Sequence, residues 1–371
     1  MIAGGGIAGS SLFRYMAEAG MNPVLVNADR GSSWRNIGGG RTAFSLPELA
    51  EIAAQNHHIF KELQYLSNID YKPIRYISFA HDEETYKALE ASKAWSKAEM
   101  IAPKQFREEI SPYFNANPKK YISALVSEDC WQATPGKVVD LVRNLGIAAR
   151  GTVMEDCRVL EACREGKYIS VLVQTHDKKY VEYRTEHFVN ALGSGAGKLC
   201  DSMGIDAGLY PVRHQAFITR RLPMLGKHGT NLDMLIDRQD YKGFSAVYGQ
   251  QIAYTGQIIG CASPKLDAMR IDKNLKVNTK AFLEIVSEMF SEWIPDLAGV
   301  GIQAVWAGYY TEPRYIVDPE LGLFVGMCGH GFMLSQYIAR MYVDKLLGRP
   351  VPEYFEKLKL NGPGLSEKAF K

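Results

Sequence analysis

The chain has 371 residues, 46% of them hydrophobic and 23% charged, with a formal net charge of +2. That balance suits a soluble globular protein with room for two domains, and it gives no reason to expect nucleic acid or an anionic membrane as a partner. No apolar run reaches the ~18 residues of a spanning helix, no basic-then-apolar leader opens the chain, and six cysteines without a C-x-x-C pair argue against a zinc site or disulfide framework, so a cytoplasmic setting is expected.

The first nine residues organise the rest. Gly4, Gly6 and Gly9 fit G-x-G-x-x-G, behind the apolar Ile2 and Ala3. Ile7, Ala8, Ser11, Leu12, Tyr15, Met16 and Ala19 then recur at helical spacing up to Gly20. Strand, glycine turn and helix offer a pyrophosphate free N–H groups and the positive end of a helix dipole. Pro23 to Asn27 reads as a second buried strand, and Asp29 stands where an acidic group can hold a ribose hydroxyl. Only three residues precede the glycines, so the first strand is either unusually short or begins upstream.

Ser32 to Arg41 is a polar, glycine-rich loop, open to a flat ligand or to a plain surface turn. Pro47 to Leu66 has one broad apolar face and predicts a helix; His57 and His58 on it lack metal-ligand company. Ile74 to Ala80 alternates as a strand, Glu83 to Ala98 is helical, and Pro103 to Pro112 suggests a short helix. Ser123 to Ser127 is a strand, and Pro135 opens a further helix. Thr152 to Ala162, Tyr168 to Thr175 and Tyr180 to Thr185 read as a meander; Glu186 to Leu192 is a strand closed by Gly193. Strands follow at Pro211 to Thr219, Phe244 to Tyr248, Ile252 to Ile259 and Ile302 to Tyr309, with a helix from Lys280 to Phe290. Leu323 to Ser335 repeats strand, glycines and helix, and the helix runs to Gly348. The tail from Leu360, with Gly362-Pro363-Gly364, is expected to be mobile.

The succession Gly4-Gly5-Gly6-Ile7-Ala8-Gly9, Arg35-Asn36-Ile37-Gly38-Gly39, Thr134-Pro135-Gly136-Lys137-Val138, Phe188-Val189-Asn190-Ala191-Leu192-Gly193, Pro211-Val212-Arg213-His214-Gln215, Trp306-Ala307-Gly308 and Gly329-His330-Gly331-Phe332 resembles the D-amino-acid oxidase family of FAD enzymes, which includes glycine oxidase, sarcosine oxidase and related amine dehydrogenases. The match runs to about Pro352, and its weight lies in the order of seven motifs rather than in any one.

The resemblance implies an α/β fold, α+β overall: a Rossmann-like FAD-binding domain with an inserted antiparallel-sheet substrate domain. The boundaries it suggests are 1–70, 132–208 and 315–356 for the first, 71–131 and 209–314 for the second, and 357–371 for a tail. It implies non-covalent FAD, held by Gly4, Gly6, Ile7, Ala8 and Gly9; by Asn27, Asp29 and Arg30; by Asn36, Gly38, Gly39, Gly40 and Arg41; by Val153, Ala191 and Gly193; and by Gly329, His330, Gly331, Phe332, Met333 and Leu334. Donors from Gly331 to Leu334 would stabilise the negative charge of a reduced flavin. No metal is implied.

Family members oxidise a C–N bond beside a carboxylate to an imine that hydrolyses. Three departures bear on this chain. Asn27 stands where the family usually has Glu; Gly308-Tyr309-Tyr310-Thr311 replaces the run whose arginine holds the substrate; and Met333 replaces the lysine of sarcosine oxidase. Arg314, with Arg41 as competitor, is the expected carboxylate partner, since a guanidinium pairs with a carboxylate through two bonds. Tyr248 and Tyr310 fall on strands that in the family face the flavin. The expected substrate is a small amine or amino acid, with oxygen or an unidentified acceptor taking the electrons. A 2-hydroxy-acid dehydrogenase and a flavin subunit of a multi-chain amine dehydrogenase are the alternatives, and a peripheral or hetero-subunit contact is left open.

Overall fold

Ile2–Ala3 is fully buried and lies at the middle of a six-stranded sheet. In order across the sheet the strands are Ile316–Asp318, Leu323–Val325, Val189–Asn190, Ile2–Ala3, Val24–Asn27 and Thr152–Glu155. Only the pair Ile316–Asp318 and Leu323–Val325 is antiparallel. From Ile2–Ala3 the chain first moves to Val24–Asn27 on one side and later returns to Val189–Asn190 on the other. Such a reversal opens a crevice at the carboxyl ends of the strands, where ligands bind in parallel sheets. Helix Ile7–Glu18 starts at this crevice and packs against the last helix, Gly331–Leu346, and against Pro135–Ala148. The computed structural model describes all residues except 112–113, 116–117, 224, 226–231, 239–243, 253–254, 265–274, 276–278, 314, 366 and 368–371.

A nine-stranded sheet forms the second layer, in the order Ile302–Glu312, Tyr210–Thr219, Ile258–Pro264, Phe244–Gln251, Met234–Asp237, Lys72–Ala80, Ser123–Gln132 and Gly39–Gly40, with Ala98–Ile101 paired to Ser123–Gln132. It is antiparallel except where Met234–Asp237 runs parallel to Lys72–Ala80. Side chains alternate across it. Ile77, Phe79, Phe217 and Val247 point into a core shared with Phe282, Val286, Phe290 and Trp293 of helix Thr279–Trp293. Their neighbours Tyr76, Ala216 and Tyr248 line a cavity on the opposite face. A third, three-stranded sheet spans Arg158–Glu165, Tyr168–Gln174 and Tyr180–Thr185.

Several elements differ from the sequence expectation. Thr152 to Ala162 is two strands, because Asp156 takes a positive φ of 54° between Thr152–Glu155 and Arg158–Glu165. The helix expected over Glu83 to Ala98 ends at Ala91, followed by a 3-10 turn and a strand. The strand placed at Ile252 to Ile259 lies at Ile258–Pro264, after a bend at Thr255-Gly256; 253–254 lie outside the described residues. The tail is docked in part: Leu365 is 4% exposed and Glu367 fully buried. Among the described residues no helix is long and apolar enough to cross a membrane.

Candidate active site

The glycine turn is shaped by contacts that leave no room for side chains. Gly4 has φ +106° and a Cβ there would stand 2.6 Å from the Ala191 carbonyl oxygen. A Cβ at Gly9 would fall 1.9 Å from the Gly4 carbonyl oxygen, so this glycine lets helix and strand touch. Gly6 differs: its φ of −68° suits any residue, and a Cβ would meet only Ser33 Oγ at 3.0 Å. The N-cap residue Gly6 supplies no side-chain cap, and the Ile7 N–H donates instead to Ser33 Oγ at 2.8 Å. The N–H groups of Ala8 and Gly9 belong to the first turn, which has no acceptors of its own. A phosphate oxygen is the same class of acceptor as the serine hydroxyl found here. Near this turn, Trp34 Nε1 and Arg143 Nε are buried without a hydrogen-bond partner. Open donors around a glycine cradle fit a pyrophosphate.

At the end of the second strand, Asn27 donates to Glu155 Oε2 at 2.8 Å. Arg143 bonds the other Glu155 oxygen at 2.5 Å and the Gly5 carbonyl oxygen at 3.0 Å. Glu155 is the register partner of Asn27 on the adjoining strand. A carboxylate thus stands one strand over from Asn27, in a pairing 128 positions apart that the sequence pattern does not display. Asp29 is 70% exposed and engaged by Arg158, and Arg30 is exposed beside it. Asp29 is held in an exposed ion pair, and Glu155 is joined to the glycine turn's backbone through Arg143, which bonds both the Glu155 carboxylate and the Gly5 carbonyl oxygen. Val153 is half-buried on the same strand as Glu155.

The cavity holds about 380 Å³. Its walls are the loop Ser32 to Arg41, the inner face of the nine-stranded sheet, and Cys328 to Met333. Among the described residues, Tyr76, Tyr210, Tyr248, Tyr309 and Tyr310 line it, together with Arg35, Arg41, Arg238, His214 and Glu312. Tyr248 and Tyr310 share a hydroxyl–hydroxyl bond of 2.9 Å. Tyr310 stacks on His214 with centroids 3.6 Å apart, as their strand register brings Val212 opposite Tyr310 and His214 opposite Gly308. His214 Nδ1 is buried with no hydrogen-bond partner, and desolvation pulls the ring's pKa down to about 3. Burial pushes Tyr248 well above its ordinary pKa and Cys261 beside it up to about 12, so both stay protonated.

Arg41 is 4% exposed. Its guanidinium lies 3.9 Å over the Phe44 ring, donates to the Ala43 carbonyl oxygen, and approaches His330 Nε2 at 3.4 Å. His330 Nδ1 bonds the Tyr315 hydroxyl, which fixes the turn before the last helix. Burial lowers the Arg41 pKa, and the Glu367 carboxylate opposes that shift most strongly. In the last helix, Met333 and Leu334 donate their N–H groups to the His330 carbonyl oxygen. Only Gly331 and Phe332 remain as outward donors of that first turn, so the expected four-residue donor set shrinks to two. The Leu334 side chain is core, at 0% exposure.

Three of the loop glycines have packing reasons. A Cβ at Gly38 would lie 2.3 Å from the Ala133 carbonyl oxygen, at Gly39 2.1 Å from the Tyr76 hydroxyl, and at Gly40 2.2 Å from the Trp131 ring. Asn36 pins the loop, donating to Ser33 O and accepting from the Gly38 N–H. Gly329, with φ +72°, lies under the Tyr310 ring, and Gly193 has φ +57°.

Residues 1–345 match the DAO family, described as FAD dependent oxidoreductase. The chain belongs to that family. Its cofactor is FAD, and it is an oxidoreductase. No curated protein matches. Among solved structures, it is similar to L-proline dehydrogenase from P. horikoshii, at 22% identity over 97% of this chain and 96% of that one, with a TM-score of 0.81. Glycine oxidase from Bacillus cereus gives 19% identity, coverage of 96% and 97%, and a TM-score of 0.76. L-alpha-glycerophosphate oxidase from Mycoplasma pneumoniae gives 16%, 93% and 94%, and 0.72.

Against this family fold, the cavity brings together Arg41, Tyr248, Tyr310, Asn36, Gly38, Gly39, Gly329, His330, Phe332 and Met333. Gly4, Gly6, Ile7, Ala8, Gly9 and Ala191 gather instead at the crevice of the parallel sheet. Arg314 lies outside the described residues. Sequence reasoning missed Arg35, Tyr76, Arg238, Tyr309, Glu312 and the role of His214. Arg35 and His214 stood inside quoted motifs; alternation along Tyr210–Thr219 placed His214 on one face without revealing which face was wet.

Proposed function

We propose that the enzyme oxidises the C–N bond of a small amino acid or N-substituted amino acid bound in the tyrosine- and arginine-lined cavity. Bound FAD supplies the hydride acceptor, and the imine product leaves and hydrolyses in water. The carrying observation is the charge of the cavity wall: Arg35, Arg41 and Arg238 against the single carboxylate of Glu312 among the described lining residues. A guanidinium in a poorly hydrated wall matches a substrate carboxylate through charge-assisted hydrogen bonds. The same positive field disfavours a bound ammonium, so it helps the substrate nitrogen shed the proton it must lose before oxidation. Arg41 and Arg314 are the candidates for carboxylate recognition, and the Tyr248–Tyr310 pair orients the substrate through its linked hydroxyls, with that of Tyr248 held protonated by burial.

A 2-hydroxy acid would satisfy the same arginines, and one structural relative is named as a glycerophosphate oxidase. Oxidising a hydroxyl, however, calls for a base to take its proton. His214 is held near pKa 3 and His330 is committed to Tyr315 and Arg41, which favours the amine. Anaerobic flavin bleaching with amino acids, N-methyl amino acids and matched hydroxy acids tests the choice; bleaching by the hydroxy acid alone would replace this reading. Reoxidation in air identifies oxygen as the acceptor, and native mass on purification shows whether partner subunits are needed.

The division into a Rossmann-like cofactor domain (1–70, 132–208, 315–356) and a substrate domain (71–131, 209–314) is supported by the strands. The six-stranded sheet draws only on the first set, and the nine-stranded sheet on the second, apart from Gly39–Gly40 and the last residue of Ser123–Gln132. Six free cysteines fit a reducing, cytoplasmic setting.

A further inference from the structure

Leu365 and Glu367 come from far along the chain, yet they pack against Phe44 and Ser45, just past the loop Ser32 to Arg41 that lines the cavity. Leu365 is 4% exposed and shares a core with Phe44, Tyr342, Phe355 and Leu358. Glu367 is fully buried, and both its carboxylate oxygens accept the Ser45 N–H, at 3.2 and 3.0 Å. The Ser45 hydroxyl donates to the same carboxylate at 2.5 Å. Ser45 closes the short segment in which Arg41 bonds the Ala43 carbonyl oxygen and lies over Phe44. A buried carboxylate is costly unless hydrogen bonds and a nearby cation compensate it. Ser45 supplies hydrogen bonds here, and Arg41 is a buried cation of the same segment.

We infer that Glu367 is a positioning residue: the C-terminal tail clamps Ser45 and so fixes the Arg41 guanidinium in the wall of the flavin cavity. Fixed in this way, the positive charge acts on the charge that builds up on FAD when it is reduced. This deepens the proposed reaction, but it stands without any particular substrate.

The test uses the full-length holoenzyme with Glu367→Gln, Glu367→Asp, Ser45→Ala and Arg41→Met. Two quantities are read: amide exchange in the peptide holding Ser45, and the reduction potential of bound FAD. Glu367→Gln should speed Ser45 exchange by about tenfold or more, the factor for losing about 1.4 kcal/mol of protection. It should also lower the potential in the same direction as Arg41→Met, with Glu367→Asp nearer wild type. Should Glu367→Gln fail to fold, Ser45→Ala should show both shifts at smaller size. Unchanged Ser45 exchange would overturn the clamp. Faster exchange at a wild-type potential, or a potential indifferent to Arg41→Met, would overturn its link to the flavin. Neither reading uses an amine, so failure of the proposed substrate chemistry would leave these results distinct.

Discussion

Gly6→Ala separates cofactor binding from folding. The backbone at Gly6 has φ −68°, which alanine adopts without strain, and the new methyl would meet Ser33 Oγ at 3.0 Å and nothing else within 4 Å except a second Ser33 atom. The fold therefore loses at most the Ile7–Ser33 hydrogen bond, about 1 kcal/mol. A ligand-free variant should melt within about 4 °C of ligand-free wild type. The methyl would, however, stand at the mouth of the helix, beside the N–H groups of its first turn. Losing two charge-assisted bonds between helix N–H groups and pyrophosphate costs about 3–6 kcal/mol, or about 150-fold to more than 10⁴-fold in FAD affinity. Gly9→Ala is the contrast: its methyl would fall 1.9 Å from the Gly4 carbonyl oxygen, so it should destabilise the fold itself by about 1–3 kcal/mol or more. Fluorescence titration of FAD onto ligand-free protein, with melting curves, reads both. A folded Gly6→Ala protein that binds FAD as tightly as wild type would refute the placement of the pyrophosphate.

Further outcomes follow from the cavity and the buried histidines. Arg41→Met and Arg314→Met should be compared side by side; whichever holds the substrate carboxylate should lose about 2–5 kcal/mol of transition-state stabilisation, about 30-fold to several thousand-fold in kcat/KM. If neither is impaired, a plain amine replaces the amino acid. Tyr248→Phe and Tyr310→Phe should each cost about 0.5–1.5 kcal/mol by removing the hydroxyl–hydroxyl bond, and the double variant should cost less than their sum in denaturant titrations. His57, bonded to the Tyr71 hydroxyl, has its pKa pulled by burial from 6.5 to about 4. The unfolded chain then binds more protons between these values, so stability falls as pH drops from about 6.5 towards 4. His57→Gln should shrink the difference in melting temperature between pH 7 and pH 5; an equal difference would contradict it.

Much of the cofactor half was legible because its chemistry is local. The turn Gly4 to Gly9 and the helix behind it lie within one short stretch, where period and glycine spacing carry the information. Family, fold class and FAD followed from motif order, and the family match bears them out. The long-range pairings were not legible. Glu155 reaches Asn27 only through strand register, and Glu367 reaches Ser45 across 322 positions. The tail looked polar and glycine-rich, so mobility was the natural expectation, yet Leu365 and Glu367 are buried. Gly38, Gly39 and Gly40 were read as a ligand platform or a surface turn, but contacts with Ala133, Tyr76 and Trp131 already demand glycine there. Alternation along Phe244–Gln251 showed that Tyr248 shares a face with Ala246 without showing that this face lines a cavity.

C–N oxidation in the arginine- and tyrosine-lined cavity would reduce the bound flavin. Its most direct measurement is anaerobic mixing of the FAD-loaded enzyme with a panel of small amino acids and N-methyl amino acids, each paired with the hydroxy acid of the same carbon skeleton. An amino compound should bleach the flavin, with the imine hydrolysing to a carbonyl product and a free amine or ammonia, and the matched hydroxy acid should not. Bleaching by the hydroxy acid with the amino compound inert would contradict it.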